Sequence, residues 1–148
     1  MSEFTSTNLV DAYKLIQPAV LIATKGEKAY DLTPIGWVMP MDYEPVTKII
    51  FSSERKHQCA HNIKETKELD VCMPTKQDDP VVEQCGSISS ADADKFKRFG
   101  IESKKASEID VLIPYENVSS WIECRLVRVI AEGSVELFIG EAVAAFKK

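Results

Sequence analysis

No stretch of this sequence approaches the ~18 apolar residues of a membrane-spanning helix, and no basic segment followed by an apolar core lies near Met1. Membrane-spanning classes are therefore set aside, and a cytoplasmic protein is expected. Glycine is scarce, six in 148 residues, with Gly86 and Gly100 standing alone. A phosphate loop, a dinucleotide fingerprint and a nucleophile elbow are all missing, which removes the support for ordinary kinase and hydrolase chemistry. The four cysteines, Cys59, Cys72, Cys85 and Cys124, form no C-x-x-C pair and no secreted-domain spacing, so they read as reduced thiols that mainly pack a core. Cations are outnumbered, 18 Lys and Arg against 23 Asp and Glu for a net charge of −5, and such a chain is not built to track along nucleic acid. A small local anion site is compatible with that balance. Only two histidines are present. His57 and His61 would share a helix face with Glu65, but no fourth ligand is close in sequence and no metal site is expected.

What is there is ordinary globular material. Hydrophobic residues make up 45% of the chain and no repeat stands out, so residues 1–148 are expected to form one domain. Residues 8–16 suit a short helix capped by Asn8, with Pro18 behind it. The β-branched-rich run from Ala19 to Thr24 reads as a buried strand, closed by a Gly26-containing hairpin turn. Its return partner, residues 29–37, carries Pro34 and Gly36, which suit a bulged or edge strand that something flat can approach. Residues 46–51 form a further strand, and a helix is expected over residues 55–67. A short strand at 69–73 is closed by Pro74, a helix at 80–85 by Gly86, and one helical turn at 94–99 by Gly100. Two long strands, 120–131 and 134–146, close the chain. The second is apolar on nearly both faces, so it needs two covers, a barrel interior and something else, of which a homodimer partner is the simplest.

The hydrophobic period changes from 2 to about 3.6 just where Ser52, Ser53, Arg55 and Lys56 cluster. A strand feeding a helix N-terminus is an anion seat, because unpaired N–H groups and the helix dipole point the same way. The same residues also read as an ordinary N-cap with solvated cations. Trp37 and Trp121 suit either stacking on a planar ligand or filling the barrel, and Asp92 with Asp94 reads as a solvated loop beside Lys95 and Lys97.

Taken together, these pieces resemble the flavin reductase-like family. The stretch Pro18-Ala19-Val20-Leu21-Ile22-Ala23-Thr24 is similar to the family's opening strand, and Asp31-Leu32-Thr33-Pro34-Ile35-Gly36-Trp37 looks like its Asn-x-x-Pro-x-Ser-Trp segment. His57-Gln58-Cys59-Ala60-His61-Asn62-Ile63 is similar to its phosphate-proximal piece, and Asp94-Lys95-Phe96 matches its Asp-Lys-Phe. Glu123-Cys124 and Gly140-Glu141-Ala142-Val143 resemble its late strands. The resemblance implies a mainly β fold with short helices (α+β), a mostly antiparallel split β-barrel that binds FMN, and a homodimer. It places Ser52, Ser53, Arg55, Lys56 and Cys59 around the FMN phosphate. The backbone of Thr33, Pro34, Ile35 and Gly36 would approach the isoalloxazine edge, with Trp37 nearby and Lys95 reaching the flavin. Cys59 stands where the family has a Thr, Asp31 where it has Asn, Gly36 where it has Ser, and Ser134 where many members have a His.

The activity implied is an FMN-dependent oxidoreductase that takes hydride from NADH or NADPH and passes electrons to free flavin or a redox-protein acceptor. Flavin chemistry needs no side-chain acid or base, and the sequence offers no catalytic constellation. A non-enzymatic FMN electron carrier and a flavin-free dimer that keeps only the fold are the alternatives.

Overall fold

Alternating and continuous apolar runs are realised as strands wherever a second run lies opposite to pair with them. The structure, a computed structural model, describes Ser6, Asn8 and residues 19–148. Apart from Asn8, the helix expected over residues 8–16 lies outside the described residues. Among the described residues the elements run β1 (Val20–Lys25), β2 (Tyr30–Ile35), β3 (Val38–Asp42), β4 (Lys48–Glu54), α1 (Gln58–Thr66), β5 (Glu68–Pro74), α2 (Pro80–Ser87), α3 (Lys95–Arg98), β6 (Lys104–Lys105), β7 (Leu112–Ile113), β8 (Val118–Glu132) and β9 (Val135–Lys147). No helix among them is long and apolar enough to cross a membrane.

Seven strands form one antiparallel sheet in the order β2-β1-β5-β8-β9-β4-β3, and β6 pairs with β7 separately. Val20 and Ile22 of β1 and Ile35 of β2 share a core with Ile49 and Phe51 of β4 and Phe138 of β9. Strands from both ends of the sheet thus feed one cluster, so the sheet curls around it. Its end strands β2 and β3 do not pair, which leaves a split, mostly antiparallel β-barrel with short helices. Phe51 and Phe138 stack at 5.3 Å, and each is fully buried, worth about 2 kcal/mol of transfer free energy apiece. A second cluster on the opposite face joins Leu21, Cys72, Val81, Phe96, Val111 and Trp121. Trp121 fills this core, with its ring 5.0 Å from Phe146. Trp37 is exposed.

The structure departs from the sequence reading in four places. The helix begins at Gln58, not near Arg55, because β4 continues through Glu54, which pairs with Val135 of β9. Residues 38–42, to which the sequence reading gave no element, form β3, an edge strand whose outer side tolerates Pro40. Gly86 does not end α2 but lies inside it, where an added Cβ would come within 2.9 Å of Pro34 Cγ. The polar segment 87–107, given only one helical turn in the sequence reading, also supplies β6. Gly26 and Gly133 sit in the hairpin turns as expected, Gly133 with a φ of 57° that favours glycine.

Candidate functional site

The site begins on β2. Its pairing with β1 sets Asp31 opposite Thr24 and Thr33 opposite Ile22, so both side chains point to the face that α1 covers. From the other direction α3 brings Lys95. Asp94 caps this short helix by accepting a hydrogen bond from the Lys97 N–H, and Phe96 anchors it in the second core. Lys95 is therefore 3% exposed and Asp31 1% exposed, with Nζ 2.7 Å from Asp31 Oδ1. The ammonium also donates to the Leu32 carbonyl at 2.7 Å, and the Thr33 hydroxyl donates to Asp31 Oδ2 at 3.1 Å. Asp31 Oδ1 lies at ion-pair distance from Lys95 but accepts no hydrogen bond in good geometry. The floor of the site is a buried ion pair with one under-used acceptor.

Above this floor opens a cleft of about 420 Å³, walled by Asp31, Thr33, residues 56–59, residues 85–90 and Lys95. Its size lies within the range of small-molecule and cofactor pockets. At the mouth, α1 starts with His57 as its N-cap, and no side chain caps the first turn. Gln58 donates to Asn62, which in turn donates to Thr24 of β1, so the start of α1 is tied to the sheet. Lys56 stands at the entrance with its side chain 84% exposed, 3.6 Å from Glu54 Oε2. A smaller pocket of about 200 Å³ adjoins through Gln58 and Ser90.

Of the residues singled out in the sequence, the fold brings Thr33, Lys56, Cys59 and Lys95 to this one cleft. Ser52 and Ser53 lie inside β4, where Ser52 pairs with Leu137 and the Ser53 hydroxyl donates to Glu54 O. Arg55 is exposed, and its backbone N–H donates to Ser134 O at 3.3 Å. Pro34 packs against Gly86, Ile35 is in the first core, and Gly36 and Trp37 link β2 to β3, with Trp37 O accepting from the Ser52 N–H. The walls also include Gln58, Cys85 and the serines at 87, 89 and 90, which sequence reasoning did not single out. The only local trace of that wall was the Ser-Ile-Ser-Ser run after α2.

The two thiols of the cleft are inert. Burial, then the charge of Asp31, pushes Cys59 well above the ordinary thiol value, against the opposing pull of Lys95 and the Thr33 hydroxyl. Burial likewise pushes Cys85 up to about 11. Neither is a thiolate nucleophile near neutrality. Among the described residues no three His, Cys, Asp or Glu side chains gather as metal ligands. The cleft thus offers placement and not reactive side chains: an uncapped helix start and a cation at the mouth, hydroxyls on one wall, and a charge-balanced floor with a free acceptor lone pair. That donor and acceptor set fits a ligand with an anionic end, hydroxyls along its middle and a planar polar end, which describes FMN.

Comparison with known proteins agrees. Over 98% of this chain and 79% of the relative, it is 25% identical to the uncharacterized protein YddH of Escherichia coli (strain K12). Its fold superposes on flavoredoxin from Methanosarcina acetivorans with a TM-score of 0.80, at 21% identity, covering 100% of this chain and 76% of the other. Nitrilotriacetate monooxygenase component B from Bacillus cereus gives a TM-score of 0.82 at 18% identity, covering 98% and 82%. The FMN-binding protein from Thermus thermophilus gives 0.79 at 17%, covering 99% and 80%. At these identities the solved structures share the fold. The sequence pattern of the flavin reductase like domain matches residues 12–147, nearly the whole chain, and the protein therefore belongs to the flavin reductase-like family.

Proposed function

We propose that this protein is an FMN-binding flavoprotein that takes reducing equivalents from NADH or NADPH and passes them to free flavin or to a redox-protein acceptor. The observation that carries the reading is the cleft itself, with an uncapped α1 start and Lys56 at its mouth and the buried Asp31–Lys95 pair at its floor. When bound, the flavin supplies hydride acceptance and electron transfer at its ring. The protein's part is positional. The first-turn N–H groups of α1 and the Lys56 ammonium hold the phosphate, in the geometry that makes helix starts anion sites. Ser87, Ser89, Ser90 and Thr33 offer hydroxyls to the ribityl chain, and the buried thiols of Cys59 and Cys85 make the inner wall apolar. Arg55, Ser52 and Ser53 take a supporting part at most, since they stand outside the cleft wall.

The same reading includes a homodimer. On β9, Leu137 is only part-buried and pairs with the exposed Ile130 of β8, while Ala142 is also part-buried and Phe146 exposed, so apolar surface on the β8–β9 hairpin awaits a cover. Ala142→Glu would place a charge in that interface and should shift the protein toward monomer in light scattering; a wild-type monomer at micromolar concentration contradicts the dimer.

The test of function is the visible spectrum of the purified protein, reconstituted with FMN if colourless, followed by anaerobic NADH or NADPH. A yellow protein that bleaches supports the oxidoreductase. A yellow protein that stays yellow until dithionite is added is an electron carrier, and failure to take up FMN removes the flavin reading.

A further inference from the structure

We propose that Asp31 sets the reduction potential of the bound flavin, by cancelling the Lys95 charge at the cleft floor and keeping the flavin a strong reductant. The inference rests on the flavin reading and goes beyond it to the direction of electron flow. Two ends of the cleft differ in charge. The mouth has Lys56, 84% exposed, and the start of α1, which together suit a phosphate. The floor is water-excluded, lined by the buried Cys59 and Cys85, and suits the flat ring.

At that floor lie the ammonium of Lys95 and the carboxylate of Asp31, 2.7 Å apart and both almost fully buried. Reduction by a nicotinamide or by dithionite brings the ring two electrons and one proton, adding one negative charge. A lone buried ammonium at the floor would favour that product strongly, because charges interact with little screening away from water. Asp31 removes the bias. Only one contact of its Oδ2 is to a local hydroxyl, that of Thr33, while Oδ1 faces Lys95 without a good hydrogen bond. The pair is held by charge more than by hydrogen-bond geometry, so the carboxylate's influence is electrostatic. Asp31 acts through Lys95 and is a positioning residue.

The experiment measures the midpoint potential of the flavin-loaded protein at about pH 8, by equilibration with a reference dye, in wild type, Asp31→Asn and the Asp31→Asn/Lys95→Met double variant. Asp31→Asn should favour reduced over oxidised flavin by at least tenfold, a rise of about 30 mV for a two-electron couple. The double variant, with neither charge, should return to within about threefold of wild type, or about 14 mV. If Asp31→Asn does not fold, Asp31→Ser, which also removes the carboxylate, carries the same test and should raise the potential by a similar step. An unshifted potential in a single variant that still binds FMN overturns the proposal and leaves the flavin reading standing. A wild-type protein that binds no FMN overturns both, so the two failures are told apart.

Discussion

Two aspartates on the strands that flank β1, buried to the same degree, have had their charges handled in opposite ways. Asp31 and Asp70 pair with adjacent residues of β1, Thr24 and Ala23, so they point to opposite faces of the sheet. On the cleft face, Asp31 is met by Lys95. On the other face no cation arrives. Asp70 lies opposite another acid, Glu123 of β8, and its Oδ2 has no hydrogen-bond partner. Burial drives the Asp70 carboxyl well above the usual range; the Cys72 thiol, donating at 3.2 Å, pulls it down, and the Glu123 charge pushes it up. Burial works on Glu123 too, but the N–H groups of Glu108 and Ser107, the Trp121 indole and the Ser107 hydroxyl outweigh it and hold that carboxyl below its ordinary value. The interior pair thus sets a carboxyl pushed toward its protonated form beside a buried, well hydrogen-bonded carboxylate, a structural unit. The cleft pair keeps both charges where a ligand can feel them. A buried charge retained at a cavity wall, when its neighbour shows that neutralisation was available, points to function.

The comparison breaks most sharply at Lys95. Lys95→Met should destabilise the fold by about 3 kcal/mol or more in urea titration, because it strands a buried carboxylate, whereas adding Asp31→Asn should restore most of the loss. A double variant as unstable as the single would mean that packing, and not charge, is what Lys95 provides.

Glu123→Gln should cost less, about 2 kcal/mol near neutrality, by weakening charge-assisted bonds from Ser107 and Glu108 and tethering the 107–108 loop less tightly to β8. Hydrogen exchange at those two amides should quicken with it.

Asp70→Asn should be the mildest at neutral pH, below about 1 kcal/mol, since Asn is close in shape to a protonated Asp. Its signature is in pH dependence. A carboxyl whose folded pKa is raised holds a proton that the unfolded chain releases above its ordinary value of 3.8, so wild-type stability falls as pH rises through that window. Asn at position 70 removes that slope. Glu123 has the opposite sign, adding stability above its ordinary 4.5 that is lost as pH falls through its lowered value. Parallel stability curves for wild type and Asp70→Asn as pH rises above that ordinary value would contradict the raised Asp70 carboxyl.

Strands were legible where the pattern is local and dense. The run Val20 to Ala23 is buried without a break, and the long β8–β9 hairpin falls within a few residues of its sequence bounds. β3 was not, since Val38 to Met41 are apolar on both faces and interrupted by Pro40, so no alternation announces an edge strand. Ser52 and Ser53 beside two cations have the look of a helix cap, yet pairing of β4 with a strand some 85 residues later carries the chain past them as ladder. Gly86 looks like a terminator because glycine often is one, and only the fold shows Pro34 pressed against it. The Asp31–Lys95 pair joins residues far apart in sequence, and neither carries a local mark of burial. Short-range patterns thus marked the mouth of the cleft at Lys56, while its floor and serine wall depended on long-range packing.

The most direct measurement is a pair of titrations of the wild-type protein, with FMN and with riboflavin, followed by flavin fluorescence at low salt. The two ligands share ring and ribityl chain and differ only in the phosphate. The account predicts saturable 1:1 binding of both, with FMN at least about tenfold tighter, and loss of most of that difference in Lys56→Ala, whose exposed side chain leaves stability unchanged. Equal affinities for the two flavins, or no saturable binding of either, would contradict it.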